Sequence, residues 1–133
     1  MKICEKLCEE AQNVAANLAR RNGIRYSSGE NIYVCTRTKS LSSTSAIREC
    51  CFKAVDSWYR EIENYSFETS KKLKKNQTIA HFQQMVWRDS VRLGFGIAQR
   101  RDGNIIIICR YSPRANVFRS KINAKQIMPV QTQ

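Results

Sequence analysis

Glycine and proline are scarce in this chain of 133 residues, with 5 and 2 respectively, which excludes a collagenous or low-complexity polypeptide. Long apolar runs are missing as well. The longest, Ile105 to Cys109, falls far short of the ~20 residues that a membrane-spanning helix needs. The start, Met1-Lys2-Ile3-Cys4-Glu5-Lys6, holds no continuous apolar stretch, and Glu5, Glu9 and Glu10 follow closely, so it does not read as a signal peptide. Histidine occurs once, at His81. None of the six cysteines forms a C-x-x-C pair, which removes the usual zinc and redox spacings. Acidic residues are few, 11 against 23 Lys and Arg, which leaves a formal charge of +12.

That charge favours anionic partners: nucleic acid, anionic lipid or a polyanionic glycan. The cations gather at Arg20-Arg21, at Lys71-Lys72-Leu73-Lys74-Lys75, at Arg100-Arg101, and from Arg110 to Lys125. A run such as Lys71 to Lys75 is more often a solvated loop than a binding patch. Few aromatics interleave with these runs, and single-strand binders need stacking platforms, so nucleic acid is the lesser reading. At this length one domain is expected over residues 1–133, with about two thirds of the unfolded surface buried and enough core to need no metal. Cys4, Cys8, Cys35, Cys50, Cys51 and Cys109 fit either disulfides or buried thiols, and the compartment stays open on cysteines alone. Asn64-Tyr65-Ser66 and Asn76-Gln77-Thr78 are glycosylation triplets, which matter only in a secreted chain.

Apolar residues Ile3, Leu7, Ala11, Val14, Ala15 and Leu18 recur at helical spacing, which predicts an amphipathic helix over 2–21 stopped by Gly23. A turn over 24–29 leads into a β-rich run, Glu30 to Cys35. The polar stretch Thr36 to Ser45 offers helix caps for a second helix over 46–62, with Ile47, Cys51, Ala54, Val55, Trp58 and Ile62 inward. A basic loop, Asn64 to Gln77, precedes a third helix that Thr78 is placed to cap and that ends near Asp89. Leu93–Arg100 and Asn104–Tyr111 flank Arg101-Asp102-Gly103, a hairpin signature. Ile105 to Ile108 does not alternate, so that strand should be covered on both faces. The fold class that follows is α+β, a three-layer α–β–α sandwich around a mainly antiparallel sheet. Trp58, Tyr59, Phe82 and Trp87 are expected in its core.

Glu30, Glu61 and His81 carry the chemistry. Glu30 lies at a turn-to-strand junction, Glu61 three residues after Trp58 on nearly the same helix face, and His81 in the first turn of the third helix. An imidazole and two carboxylates suit a divalent ion or a general acid–base set. Taken alone, the commonplace reading is two surface carboxylates and a histidine at a helix start.

Four blocks in order change the weight of that set: Gly29-Glu30-Asn31-Ile32; Trp58-Tyr59-Arg60-Glu61-Ile62-Glu63-Asn64-Tyr65; His81-Phe82-Gln83-Gln84-Met85-Val86-Trp87 with Leu93-Gly94-Phe95-Gly96-Ile97-Ala98; and Cys109-Arg110-Tyr111-Ser112-Pro113-Arg114-Ala115-Asn116-Val117. With these the chain resembles the CAP superfamily, the cysteine-rich secretory, antigen five and pathogenesis-related proteins, over nearly its whole length. The helix at 2–21 and the Tyr-Arg-Glu-Ile-Glu-Asn-Tyr block are most similar to the Golgi-associated plant-pathogenesis-related type. The resemblance implies the same α–β–α sandwich with a central cleft of two His and two Glu that binds zinc or another divalent ion. Glu30, Glu61 and His81 match three of the four. Tyr26 stands nearest the missing histidine, and tyrosine is a poor zinc ligand because its pKa is near ~10. Cys109 matches a cysteine that is bridged in secreted relatives. The resemblance also implies a further helix ahead of the one at 2–21, so the chain is expected to be truncated at its N-terminus or to leave one sheet face partly uncovered.

What the resemblance implies for function is binding more than catalysis, with lipids or sterols, anionic membrane surfaces, proteins or a second copy of the chain as partners. Contact is expected at Lys71, Lys72, Lys74 and Lys75 and at Arg110, Arg114 and Arg119. The alternative is a metal-dependent hydrolase or protease built on Glu30, Glu61 and His81. An intracellular place, peripheral on Golgi-type membranes, is expected from the branch, with secretion as the alternative from the wider family.

Overall fold

A computed structural model describes residues 1–21, 29–36, 43–115 and 125–129. Its first helix, α1 (Glu5–Arg20), carries Ala11, Ala15 and Leu18 on the buried side, with Glu5 in the first turn and Arg20 in the last to complement the helix dipole. The predicted start at residue 2 is corrected: Lys2–Ile3 forms a two-residue strand, β1, because its backbone pairs with a later strand instead of entering the helix. Glu30–Cys35 is β2, as predicted.

Ser43 begins α2 (Thr44–Tyr59), its hydroxyl accepting from the Ala46 N–H. The helix is shorter than the predicted 46–62, since Arg60–Asn64 tightens into a 3-10 turn. The expected basic loop holds a short hairpin, β3 (Tyr65–Ser66) with β4 (Lys71–Lys72). Next comes α3 (Ala80–Val86), shorter than expected and without a side-chain cap of its own, so the predicted Thr78 cap is replaced. Finally β5 (Arg92–Gln99) and β6 (Ile105–Ser112) form the predicted hairpin.

The main sheet runs β1-β5-β6-β2, antiparallel except for the parallel β1–β5 pair. Alternation sorts its side chains into two faces. Ile32, Ile106 and Ile108 pack under Ala11, Ala15 and Leu18 of α1. On the other face Cys35, Ile105, Ile107, Cys109 and Tyr111 meet Cys50, Ala54 and Trp58 of α2. Ile105 to Ile108 is therefore buried throughout, as its unbroken apolar run predicts. Helices on both sides of a mainly antiparallel sheet make the α+β sandwich read from the sequence. A third cluster, Tyr65, Phe82, Trp87 and Ile127, seats α3 and the 3-10 turn.

Of the four aromatics assigned to the core, Trp58, Phe82 and Trp87 are buried, whereas Tyr59 is exposed on the flank of α2, its ring edge against Phe82. Ile3, Phe52, Val55 and Phe95 are exposed as well. Among the described residues no helix is long and apolar enough to cross a membrane.

Candidate functional site

Glu61 and His81 come together from separate elements. The 3-10 turn after α2 presents Glu61 to the start of α3, where its Oε2 accepts from the backbone N–H of His81 at 2.9 Å and of Phe82 at 3.1 Å. Its Oε1 meets His81 Nδ1 at 2.7 Å. One carboxylate thus caps α3 from outside and orients the imidazole. Trp58 stacks beside the ring, with centroids 6.4 Å apart and planes at 18°, and donates its own indole N–H to the Ile32 carbonyl. Because Glu61 takes Nδ1, Nε2 is the nitrogen left to accept a proton or a ligand.

Asn31 ties this pair to the sheet. Its amide donates to the His81 carbonyl at 3.1 Å and to the Tyr111 hydroxyl at 3.3 Å, in a fully buried position. Sequence reasoning passed over Asn31. The available signal was an amide inside a β-rich run, at the parity of Tyr33 and Cys35.

Strand parity sends Glu30 the other way. It neighbours Arg110 across the β2–β6 ladder, on the face covered by α1. Arg110 Nε lies 3.2 Å from Glu30 Oε1, and its Nη1 lies 3.1 Å from Glu10 Oε2. Burial pushes the Glu30 carboxyl above its ordinary value, and the Arg110 guanidinium offsets part of that rise. The second oxygen of Glu30 is buried with no hydrogen-bond partner among the described residues.

A divalent ion at Glu30, Glu61 and His81 does not fit this arrangement. Both oxygens of Glu61 are engaged at the start of α3, Glu30 is turned to Arg110, and among the described residues no three His, Cys, Asp or Glu side chains group as metal ligands. Tyr26 lies outside the described residues. Neither Cys51 nor Cys109 offers an activated nucleophile: burial raises the first thiol, with Cys50 adding to it, and pushes the second up to about 12.

The predicted contact residues fall in separate places. Lys71, Lys72, Lys74 and Lys75 are all exposed around the β3–β4 hairpin and surround Leu73, which is 60% exposed. Phe67, also exposed, lies in the turn between the two strands. Arg110 is held between two carboxylates. Together with Arg114 it lines a cavity of about 460 Å3 between the start of α1 and the adjoining ends of β5 and β6, where Lys6, Glu10, Arg92 and Ser112 also converge. Lys6 and Arg92 had no motif to single them out in the sequence. Arg119 lies outside the described residues.

A family model described as "CAP: Cysteine-rich secretory protein family" matches residues 1–111. The Golgi-associated plant pathogenesis-related protein 1 of Homo sapiens is 27% identical over 97% of this chain and 80% of its own length. Pathogenesis-related protein 1C of Nicotiana tabacum is 31% identical over 86% of this chain, which spans 64% of that relative. Among solved structures, that of BmVAL-1 superposes with a TM-score of 0.69 at 29% identity, covering 87% of this chain and 60% of the other. The expected intracellular place on Golgi-type membranes is overturned by these matches. The family is a secretory one, and the relatives are predominantly venom allergens and pathogenesis-related proteins, with the Golgi-associated protein one among many. The expectation rests on the helix at 2–21 and the block Tyr59 to Tyr65, too little to separate branches that share the rest of the domain.

Proposed function

We propose, from the premise that this chain belongs to the cysteine-rich secretory protein (CAP) family, that it is a non-catalytic binding domain which docks on anionic lipid surfaces. One observation carries the reading: four exposed lysines ring the exposed Leu73 at the β3–β4 hairpin. Each lysine near an anionic leaflet contributes about 1 kcal/mol. The leucine supplies apolar surface that enters the headgroup boundary while the ammonium groups stay in water. Neither feature suffices alone, since exposed lysines are common and single exposed leucines need no explanation.

Co-sedimentation with vesicles of phosphatidylcholine, alone or mixed with phosphatidylserine, tests this. Binding should require phosphatidylserine and fall at least about tenfold in a Lys71/Lys72/Lys74/Lys75→Ala variant. Equal binding to both vesicle types, or an unchanged variant, overturns the reading. A requirement for added sterol in neutral vesicles moves the ligand to the sterol class.

A second reading, a hydrolase or protease that uses His81 and Glu61 as an acid–base pair and not as metal ligands, is favoured by the 2.7 Å contact that holds His81 in one orientation against Glu61. Turnover of an ester or peptide substrate that is lost in His81→Ala would establish it, and turnover that survives His81→Ala would dismiss it.

A further inference from the structure

The last residue of β2 and the middle of α2 place two thiols against each other. Cys35 Sγ and Cys50 Sγ lie 3.2 Å apart, and both side chains are buried. Parity and helical spacing put them there. Cys35 shares the α2-facing side of the sheet with Ile105 and Ile107, and Cys50 shares the buried stripe of α2 with Ala46, Ala54 and Trp58. Two sulfurs at this separation need only about 1 Å of closure to reach the ~2.05 Å of a covalent bond, within reach of small side-chain rotations.

We propose that Cys35 and Cys50 are a disulfide-forming pair that staples α2 to the sheet in an oxidising compartment. The oxidant is a low-molecular-weight disulfide such as oxidised glutathione. One cysteine thiolate attacks it, forming a mixed disulfide and releasing one glutathione thiolate. The second thiolate then attacks the protein sulfur of the mixed disulfide and releases the second glutathione. The protein loses two protons and two electrons, and the oxidant leaves as two thiols. Both cysteines are buried, so the exchange belongs to folding, before the core closes, or to a local opening of α2.

The other cysteines are less suited. Cys50 and Cys51 are neighbours in a helix, where adjacent side chains diverge. Cys109 sits mid-strand with its thiol pushed up to about 12. A Cys35–Cys50 bridge joins residues 15 apart. It fixes α2 on β2 just ahead of Trp58 and Glu61, and so holds the register of the turn that presents Glu61 to His81.

The full chain, refolded in a glutathione redox buffer, alkylated and digested, tests this. Two of the six thiols should resist alkylation, and a cross-linked peptide pair should join Cys35 to Cys50. Tm should rise by about 10 °C over the reduced protein. The rise should vanish in Cys35→Ala; should that variant fail to fold, peptide mapping of the unaltered chain still decides. Six alkylated thiols after oxidative refolding, or a bridge to any other cysteine, overturns the proposal.

Discussion

Glu61 performs two tasks with one carboxylate, and the structural task is the more exposed to mutation. Replacing it by alanine leaves the N–H groups of His81 and Phe82 without their acceptor at a buried helix start. Glu61→Ala should cost about 2–3 kcal/mol, read as a lowered urea midpoint with an unchanged slope, and Glu61→Gln should recover part through its remaining carbonyl oxygen. Glu30 answers to pH instead. Burial dominates its shift, so its folded-state pKa lies above the unfolded one, and the folded protein holds the proton more tightly. Ionised Glu30 therefore costs stability, and the cost sets in as pH rises through the unfolded value, near ~4.3, and is complete above the folded value. Glu30→Gln should gain on the parent protein across that rise and show no such gain at lower pH, as followed by thermal unfolding at a series of pH values.

Helix α1 lies close against β5. Gly94 and Gly96 face the helix, and a Cβ built on Gly96 would lie 2.3 Å from the backbone carbonyl of Ala11. Backbone cannot give way as a side chain can, so the whole helix must lift. Gly96→Ala should destabilise by at least about 2 kcal/mol, measured by denaturant unfolding followed by circular dichroism. Gln12 explains how β5 tolerates an open edge beyond the short β1: its side-chain amide accepts from the Ile97 N–H and donates to the Ile97 carbonyl, as a neighbouring strand would. A further element-level tie is Gln126, whose amide bonds Asp89 through both backbone and side chain and holds residues 125–129 beneath α3.

Taken as a whole, the molecule is a strongly positive body whose cations serve different ends. Arg110 is spent on Glu10 and Glu30, and exposed pairs such as Lys53–Glu49 and Arg60–Asp56 add little stability. The lysine hairpin stands apart from these pairs. With a formal charge of +12, association with anionic vesicles should weaken by roughly tenfold or more between 10 mM and 150 mM salt, as the screening length contracts from about 30 to 8 Å. Co-sedimentation across a salt series checks this, and a flat response would mean that apolar contact dominates.

Periodicity and turn chemistry alone placed α1, β2 and the β5–β6 hairpin, because each signal lies within a few residues of the element it specifies. The unbroken Ile105 to Ile108 run likewise told of cover on both faces. Three outcomes needed the folded chain. Thr78 looked like the cap of α3, but the cap came from Glu61, 20 residues from His81, through a turn whose direction no local pattern encodes. Glu30 and Glu61 appeared as partners, yet a strand sends alternate side chains to opposite faces, and the register with Arg110 sent Glu30 away from His81. Cys35 and Cys50, unremarkable at their spacing, meet only because β2 parity and the α2 stripe converge on one layer of the core. Local order follows from neighbours along the chain, whereas a site is made by the packing of faces, and packing depends on residues far apart in sequence.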